Sequence, residues 1–257
     1  MAALPGEQTA LIETRAGDIV TLRLNRPGQR NALTQSLLVE LDATLERLAH
    51  ESALKCVIIA GEGSAFCAGH DLGELERLRS ASAARALFAL CSRMMQRLRA
   101  LPVPVLARVH GIATAAGCQL VGACDLAIAG DSARFAVSGI NLGLFCSTPA
   151  VALSRNVSSK RAFDLLVTGR FIDARTACDY GLINEAVPDA ELDAAVERKA
   201  TEIAAKSGTA LRHGKALFYR QQNLDLASAY EIAGTVMAQN LMEPDAAEGI
   251  THFLRKR

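Results

Sequence analysis

The chain has no excess of charge of either sign. Its 28 Lys+Arg residues stand against 27 Asp+Glu, for a net charge of +1, so no global field draws in nucleic acid or an acidic membrane. Neither is expected as a partner, and any anionic ligand has to be met by local groups. Cysteine pairing is missing as well. The seven cysteines, Cys56, Cys67, Cys91, Cys118, Cys124, Cys146 and Cys178, are odd in number and contain no C-x-x-C pair, which argues against a disulfide framework, a zinc ribbon or a redox motif. No metal site is expected. No window approaches the ~18 uninterrupted apolar residues of a membrane helix. Met1 to Thr14 carry Glu7 and Glu13 and lack a basic start or a long apolar run, so neither a secretory nor a transit segment is read there. These absences lead to the expectation of a soluble protein in a reducing, cytoplasmic compartment.

What is present is the material of a sizeable core. Half of the 257 residues are apolar and 21% are charged, the balance of an ordered globular chain. The length suits one large domain or one domain with an appendage. Ile19 to Leu24 alternates Val20, Leu22 and Leu24 with Thr21 and Arg23, a period of two that predicts a half-buried strand. A turn follows at Asn25-Arg26-Pro27-Gly28. Thr34 is placed to cap a helix carrying Leu37, Leu38, Leu41, Leu45 and Leu48 at helical spacing. Val57 to Ala60 is a continuous apolar run that suits a strand buried on both faces. A helix is predicted from about Ala83 to Arg99, then strands at Val105–Val109 and Asp125–Ala129. Between them Ala115 to Val121 reads as a tightly packed helix of small residues. Strands alternating with helices predict an α/β core. From about Asp189 the pattern is helical only, so residues 1–194 are read as the core and 195–257 as a helical region.

Four blocks of residues carry a family likeness. They are Leu24-Asn25-Arg26-Pro27 with Asn31-Ala32-Leu33; Ala65-Phe66-Cys67-Ala68-Gly69-His70-Asp71-Leu72; His110-Gly111 leading to Ala115-Ala116-Gly117-Cys118; and Thr168-Gly169 through Ile172-Asp173-Ala174 and Gly181-Leu182-Ile183-Asn184 to Val187-Pro188. In this order and spacing the chain resembles the enoyl-CoA hydratase/isomerase (crotonase) superfamily. Gly69-His70-Asp71-Leu72 and Phe145-Cys146-Ser147-Thr148-Pro149 are most similar to its enoyl-CoA hydratase domain-containing protein 3 subgroup. Singly, Gly69 and Gly117 serve equally well as turn and packing residues; the ordered set carries the resemblance.

The resemblance implies a spiral of ββα units, a C-terminal helical trimerisation region, and a homotrimer or dimer of trimers. It implies an acyl-CoA site in which coenzyme A enters only as part of the substrate thioester, with no permanently bound cofactor. His70 N–H and Ala116 N–H are then the two donors of an oxyanion hole, bordered by Ala68, Gly69, Asp71, Leu72 and Gly117. Two such donors stabilise the charge that an enolate concentrates on one oxygen. Arg26, Arg30, Lys215 or Arg255-Lys256-Arg257 are candidates for the phosphates of coenzyme A, on even terms with an ordinary surface role.

The chain departs from the family where hydration needs two glutamates. Those positions fall on Gln119 and Gly139, and no glutamate occurs between Glu76 and Glu185. A neutral amide accepts no proton near neutrality, and glycine has no side chain. An acyl-CoA lyase or isomerase with weak hydratase activity is expected, and Gln119→Glu with Gly139→Glu is expected to raise hydration. The alternatives are an acyl-CoA-binding protein without catalysis and a decarboxylase-like enzyme that forms its enolate by losing CO₂. His70 and Cys146 are the candidate replacement acid/base groups, with a packing role like that of the other cysteines the favoured alternative for Cys146, and Asn141 is read as a turn or ligand-orienting residue. His110 and Asp125 are expected to make strand-end hydrogen bonds.

Overall fold

The computed structural model describes residues 9–255. Strands β1 (Leu11–Ala16) and β2 (Ile19–Leu24) form an antiparallel hairpin that reverses at Gly17, where φ is +61°. Glycine takes this left-handed conformation without a side-chain clash. In β2 Val20, Leu22 and Leu24 are buried, as the alternation predicts. Helix α1 (Gln35–Ala49) begins at Thr34, whose hydroxyl accepts the Leu37 N–H, and the five predicted leucines are all buried. Then follow β3 (Cys56–Gly61), α2 (Leu72–Arg77), α3 (Ala81–Ala100), β4 (Val105–Val109), β5 (Ile112–Thr114) and α4 (Ala116–Ala123). The chain continues through β6 (Leu126–Gly130), β7 (Arg134–Ala136), α5 (Ser147–Leu153), α6 (Ser159–Thr168), β8 (Ile172–Asp173), α7 (Ala174–Asp179) and β9 (Glu185–Val187).

Two sheets result. The larger has the order β1-β2-β3-β4-β6-β9 and is parallel from β2 onward. The smaller has the order β5-β7-β8 and is extended by a bridge between Cys67 and Ala113. Successive turns of chain lay one segment on each sheet and then a helix: β3, the Cys67 segment and α2–α3; β4, β5 and α4; β6, β7 and α5–α6. This is the expected α/β spiral. Its central strands are covered on both sides, which explains their unbroken apolar runs. Val57 and Ile59 of β3 face the main core with α1 and α3, while Cys56 and Ile58 face a second cluster.

That second cluster is closed by α8 (Leu192–Ala204), through Leu192, Ala195, Val196 and Ala200 packed on Ile58, Leu106, Ile128 and Val187. Each fully buried branched side chain of this kind contributes ~1.5–3 kcal/mol. The expected division after residue 194 therefore falls inside a helix anchored to the core sheet. Helices α9 (Gly208–Gln221), α10 (Leu226–Leu241) and α11 (Pro244–Arg255) complete the described chain. Lys215 is the buried residue of α9, and α10 buries none.

Candidate active site

Several segments converge on the N-terminus of α4, and hydrogen bonding decides which groups remain available there. In the loop after β3, Phe66, Cys67 and Ala68 donate their N–H groups to the carbonyls of His110, Ile112 and Arg30. Asn31 fixes the base of this loop. It is fully buried with φ of +55°, its Nδ2 donates to the Glu62 and Ala65 carbonyls at 2.8 and 2.7 Å, and its Oδ1 accepts from Arg26 N–H at 2.9 Å. Leu33 N–H donates to the Gly69 carbonyl at 2.7 Å, and Asp71 N–H donates to the Leu33 carbonyl at 3.1 Å. Along an extended segment N–H groups alternate in direction, so the His70 N–H turns away from Leu33. It finds no acceptor among the described residues.

Helix α4 supplies a second such group. All eight of its residues are buried, and Ala115 at its N-cap has no side chain that caps it. The Ala116 N–H has no acceptor among the described residues. A buried helix start without partners is an anion-favouring point, because its N–H dipoles add to that of the helix. Ala115 itself sits at φ +50°, ψ −119°, a strained conformation for a residue with a Cβ. The two segments touch because of two glycines. A Cβ on Gly117 would lie 2.0 Å from the Cys67 carbonyl oxygen; one on Gly69, at φ +95°, would lie 3.3 Å from Ala116 N.

His70 and Ala116 border a cavity of about 300 Å³, walled by Leu72 and Leu75 of α2, Phe88 of α3 and parts of the strip from Ser138 to Pro149. The His70 ring packs edge-on against Phe88, with centroids 5.5 Å apart and planes at 72°. Both of its ring nitrogens are sealed from solvent without a hydrogen-bond partner among the described residues. Burial lowers the proton affinity of this imidazole, against a smaller opposing effect of the Glu74 charge. Cys146 lies opposite, 6% exposed, and its sulfur accepts the Gly139 N–H at 3.3 Å. Burial pushes its thiol up, and the Gly139 N–H only partly opposes this. Both groups are therefore neutral at neutral pH.

The expected site residues divide. Ala68, His70, Leu72, Ala116, Gly139 and Cys146 line this cavity. Gly69 and Gly117 enable the close approach behind it. Asp71 caps α2 through its bond to Glu74 N–H and faces Arg26 at 3.5 Å. Arg26 also donates to the Ala32 carbonyl, and Arg30 closes the preceding turn in a left-handed conformation. Asn141 is exposed and lies beside Gly169 rather than in the cavity. Gln119 is 5% exposed and lines a different cavity of about 380 Å³, between α3, α4 and α5, with Arg99 and Arg155 at its edge. Its Oε1 has no hydrogen-bond partner among the described residues.

Two expectations need correction on physical grounds. Lys215 cannot serve a phosphate, because it is 8% exposed and its ammonium donates to the Leu98 and Val103 carbonyls and to Asp125. All three of its donors are consumed inside the fold. Glutamates at 119 and 139 do not simply complete a hydration site, since the first position faces the other cavity. At the second, a Cβ would meet the Leu144 carbonyl oxygen at 2.5 Å and the Cys146 sulfur at 2.8 Å. Lys256 and Arg257 lie outside the described residues, as do Met1 to Gln8. His110 and Asp125 do serve strand ends: His110 Nε2 meets the Gly63 carbonyl at 2.9 Å, and Asp125 accepts from Val105 N–H, Lys215 and the Tyr219 hydroxyl. Sequence reasoning missed Phe88, Leu75, Leu142 and Leu144 as walls of this cavity. Phe88, an aromatic flanking the buried stripe of α3, was the available signal.

Comparison with known proteins places this geometry in a family. The enoyl-CoA hydratase/isomerase family model matches residues 14–257. The chain is 43% identical over 254 residues to the mitochondrial enoyl-CoA hydratase domain-containing protein 3 of Rattus norvegicus, covering 98% of this chain and 85% of that one. A crystal structure of an enoyl-CoA hydratase from Mycobacterium smegmatis superposes with a TM-score of 0.96 at 51% identity, covering 97% and 98% of the two chains. The human enoyl-CoA hydratase domain-containing protein 3 superposes with a TM-score of 0.94 at 42% identity, covering 97% and 98%. The rat, mouse and human relatives are named mitochondrial, which overturns the cytoplasmic expectation; free cysteines report a reducing environment and do not single out the cytoplasm. The chain belongs to the enoyl-CoA hydratase/isomerase family, in the crotonase fold, and within it to the enoyl-CoA hydratase domain-containing protein 3 subgroup.

Proposed function

We propose that the cavity beside α4 takes the thioester end of an acyl-CoA, with its carbonyl oxygen between His70 N–H and Ala116 N–H. The observation that carries this reading is the pair of backbone donors left without acceptors at one buried wall. Such donors act where charge develops: each is worth ~2.7–4 kcal/mol to an enolate-like transition state in other enzymes. Coenzyme A enters as part of the substrate, with Arg26 and Arg30, in the turn before α1, proposed for its phosphates. The neutral His70 imidazole, whose ring nitrogens have no partner among the described residues, takes the proton lost from the carbon beside the thioester, and Cys146, whose thiol stays protonated and lines the cavity, returns one to the enolate carbon. Ordinary hydration is weak, since no carboxylate lines the cavity to activate water.

A second reading, an acyl-CoA-binding protein without turnover, is favoured by that same lack of carboxylates. Calorimetric titration with butyryl-CoA beside a turnover assay on crotonyl-CoA separates the two. Binding with slow turnover supports the enolate site, binding with none at all supports the pure binder, and rapid hydration refutes the assignment of the acid/base groups. The assembly proposed is a homo-oligomer, trimer or dimer of trimers. In α10 and the turn after it, Leu226, Tyr230, Met237 and Met242 are 73–77% exposed, an apolar surface that a second copy covers.

A further inference from the structure

The cavity proposed for the acyl group carries no formal charge. None of its lining residues is Asp, Glu, Lys or Arg. Its two titratable members, His70 and Cys146, are both held neutral by burial. Two of its hydroxyls are engaged, Ser138 with Thr114 at 2.8 Å and Ser147 with the Phe145 carbonyl at 3.3 Å; Thr148 supplies a third. Several cations of the surrounding elements are committed or line another cavity. Arg26 is held by the Ala32 carbonyl and Asp71, Lys215 is consumed within the fold, and Arg99 and Arg155 border the cavity on the other side of α4. The backbone donors in reach are two N–H groups at one point, and a thioester oxygen uses both. A carboxylate at the end of a short acyl chain would exchange water for a wall with no counter-charge, where the neutral His70 ring N–H and the Thr148 hydroxyl are its side-chain partners, which is unfavourable.

We infer, on the reading that this cavity takes an acyl-CoA thioester, that it selects uncharged short acyl groups and rejects those ending in a carboxylate.

The test compares butyryl-CoA, succinyl-CoA and free coenzyme A by calorimetric titration of the full chain in its native assembly. Butyryl and succinyl have equal carbon number and differ in the terminal charge. Butyryl-CoA is expected to bind at least ~10-fold more tightly than succinyl-CoA, and succinyl-CoA no more tightly than coenzyme A. Leu142→Arg places a cation on the cavity rim at a residue that is 67% exposed, so folding is preserved. It is expected to narrow the gap by ~5-fold or more through improved succinyl-CoA binding. Equal affinity for the two thioesters, or a preference for succinyl-CoA in the parent, overturns the inference while leaving the thioester site intact. Failure of butyryl-CoA to bind better than coenzyme A overturns the thioester site itself, and the selectivity with it.

Discussion

Helix α4 separates two cavities of similar size and opposite character. The one at its N-terminus, about 300 Å³, is uncharged and meets the helix through backbone N–H. The one along its side, about 380 Å³, is edged by Arg99 and Arg155 and meets the helix through the side chain of Gln119. One short helix thus offers its end to one space and its flank to another. The difference teaches that the N–H pair proposed to polarise a thioester and residue 119 are set by separate features of the fold. Backbone direction fixes the first, and side-chain packing fixes the second, so a carboxylate can be lost from position 119 without disturbing the N–H pair.

The most damaging way to break the comparison is to fill the contact that holds the first cavity together. Gly117→Ala places a methyl group 2.0 Å from the Cys67 carbonyl oxygen, backbone against backbone, which cannot give way locally. We expect destabilisation of at least ~3 kcal/mol, read by chemical denaturation, with loss of acyl-CoA binding. Next in size is Cys146→Ala, which leaves the two backbone N–H groups in place and removes the proposed proton carrier. Exchange of the protons beside the thioester, followed by NMR in deuterium oxide, should fall by ~10²-fold, with butyryl-CoA affinity little changed. An unchanged exchange rate would remove Cys146 from the mechanism.

Gln119→Glu sharpens the contrast between the cavities. Because residue 119 lines the arginine-edged space, crotonyl-CoA hydration should stay within ~2-fold of the parent even with a carboxylate supplied. Gly139→Glu should weaken acyl-CoA binding rather than aid hydration, because its Cβ collides with the Leu144 carbonyl and the Cys146 sulfur. A double variant that hydrates crotonyl-CoA rapidly would show that the two cavities join when substrate binds.

The smallest expected effect is on pH-dependent stability. Burial lowers the proton affinities of His70 and His110 in the native state, so below the ordinary histidine value near ~6.5 the unfolded chain takes up protons that the native chain refuses. Stability therefore declines as the pH falls through that value and continues down toward the lowered native values. His70→Phe should flatten part of this decline in thermal unfolding measured across pH, leaving the share of His110.

Much of this fold was legible in the chain, for identifiable reasons. The alternation in Ile19–Leu24, the cap at Thr34 and the unbroken run at Val57–Ala60 each reflect burial of a whole element on one or two faces, so the pattern repeats along the sequence. Strands β5, β7 and β8 are two or three residues long, too short to repeat any pattern, and the small sheet was invisible for that reason. The N–H groups of His70 and Ala116 were reached through family motifs rather than periodicity, since backbone direction leaves no mark on residue type. Lys215 was misread because its partner Asp125 lies 90 positions earlier in the chain, and only the folded path brings them together. The second cavity is made by three separate helices, and nothing local in the sequence announces it.

The measurement closest to the central claim is the infrared spectrum of an acyl-CoA carrying a ¹³C-labelled thioester carbonyl, taken as an isotope difference on the saturated protein. Two hydrogen bonds from His70 N–H and Ala116 N–H draw electron density onto the carbonyl oxygen and weaken the C=O bond, so the thioester band should move to clearly lower frequency than in buffer. A band that stays at its buffer frequency with the ligand fully bound would contradict the account, because the thioester would then lie elsewhere than between the two N–H groups.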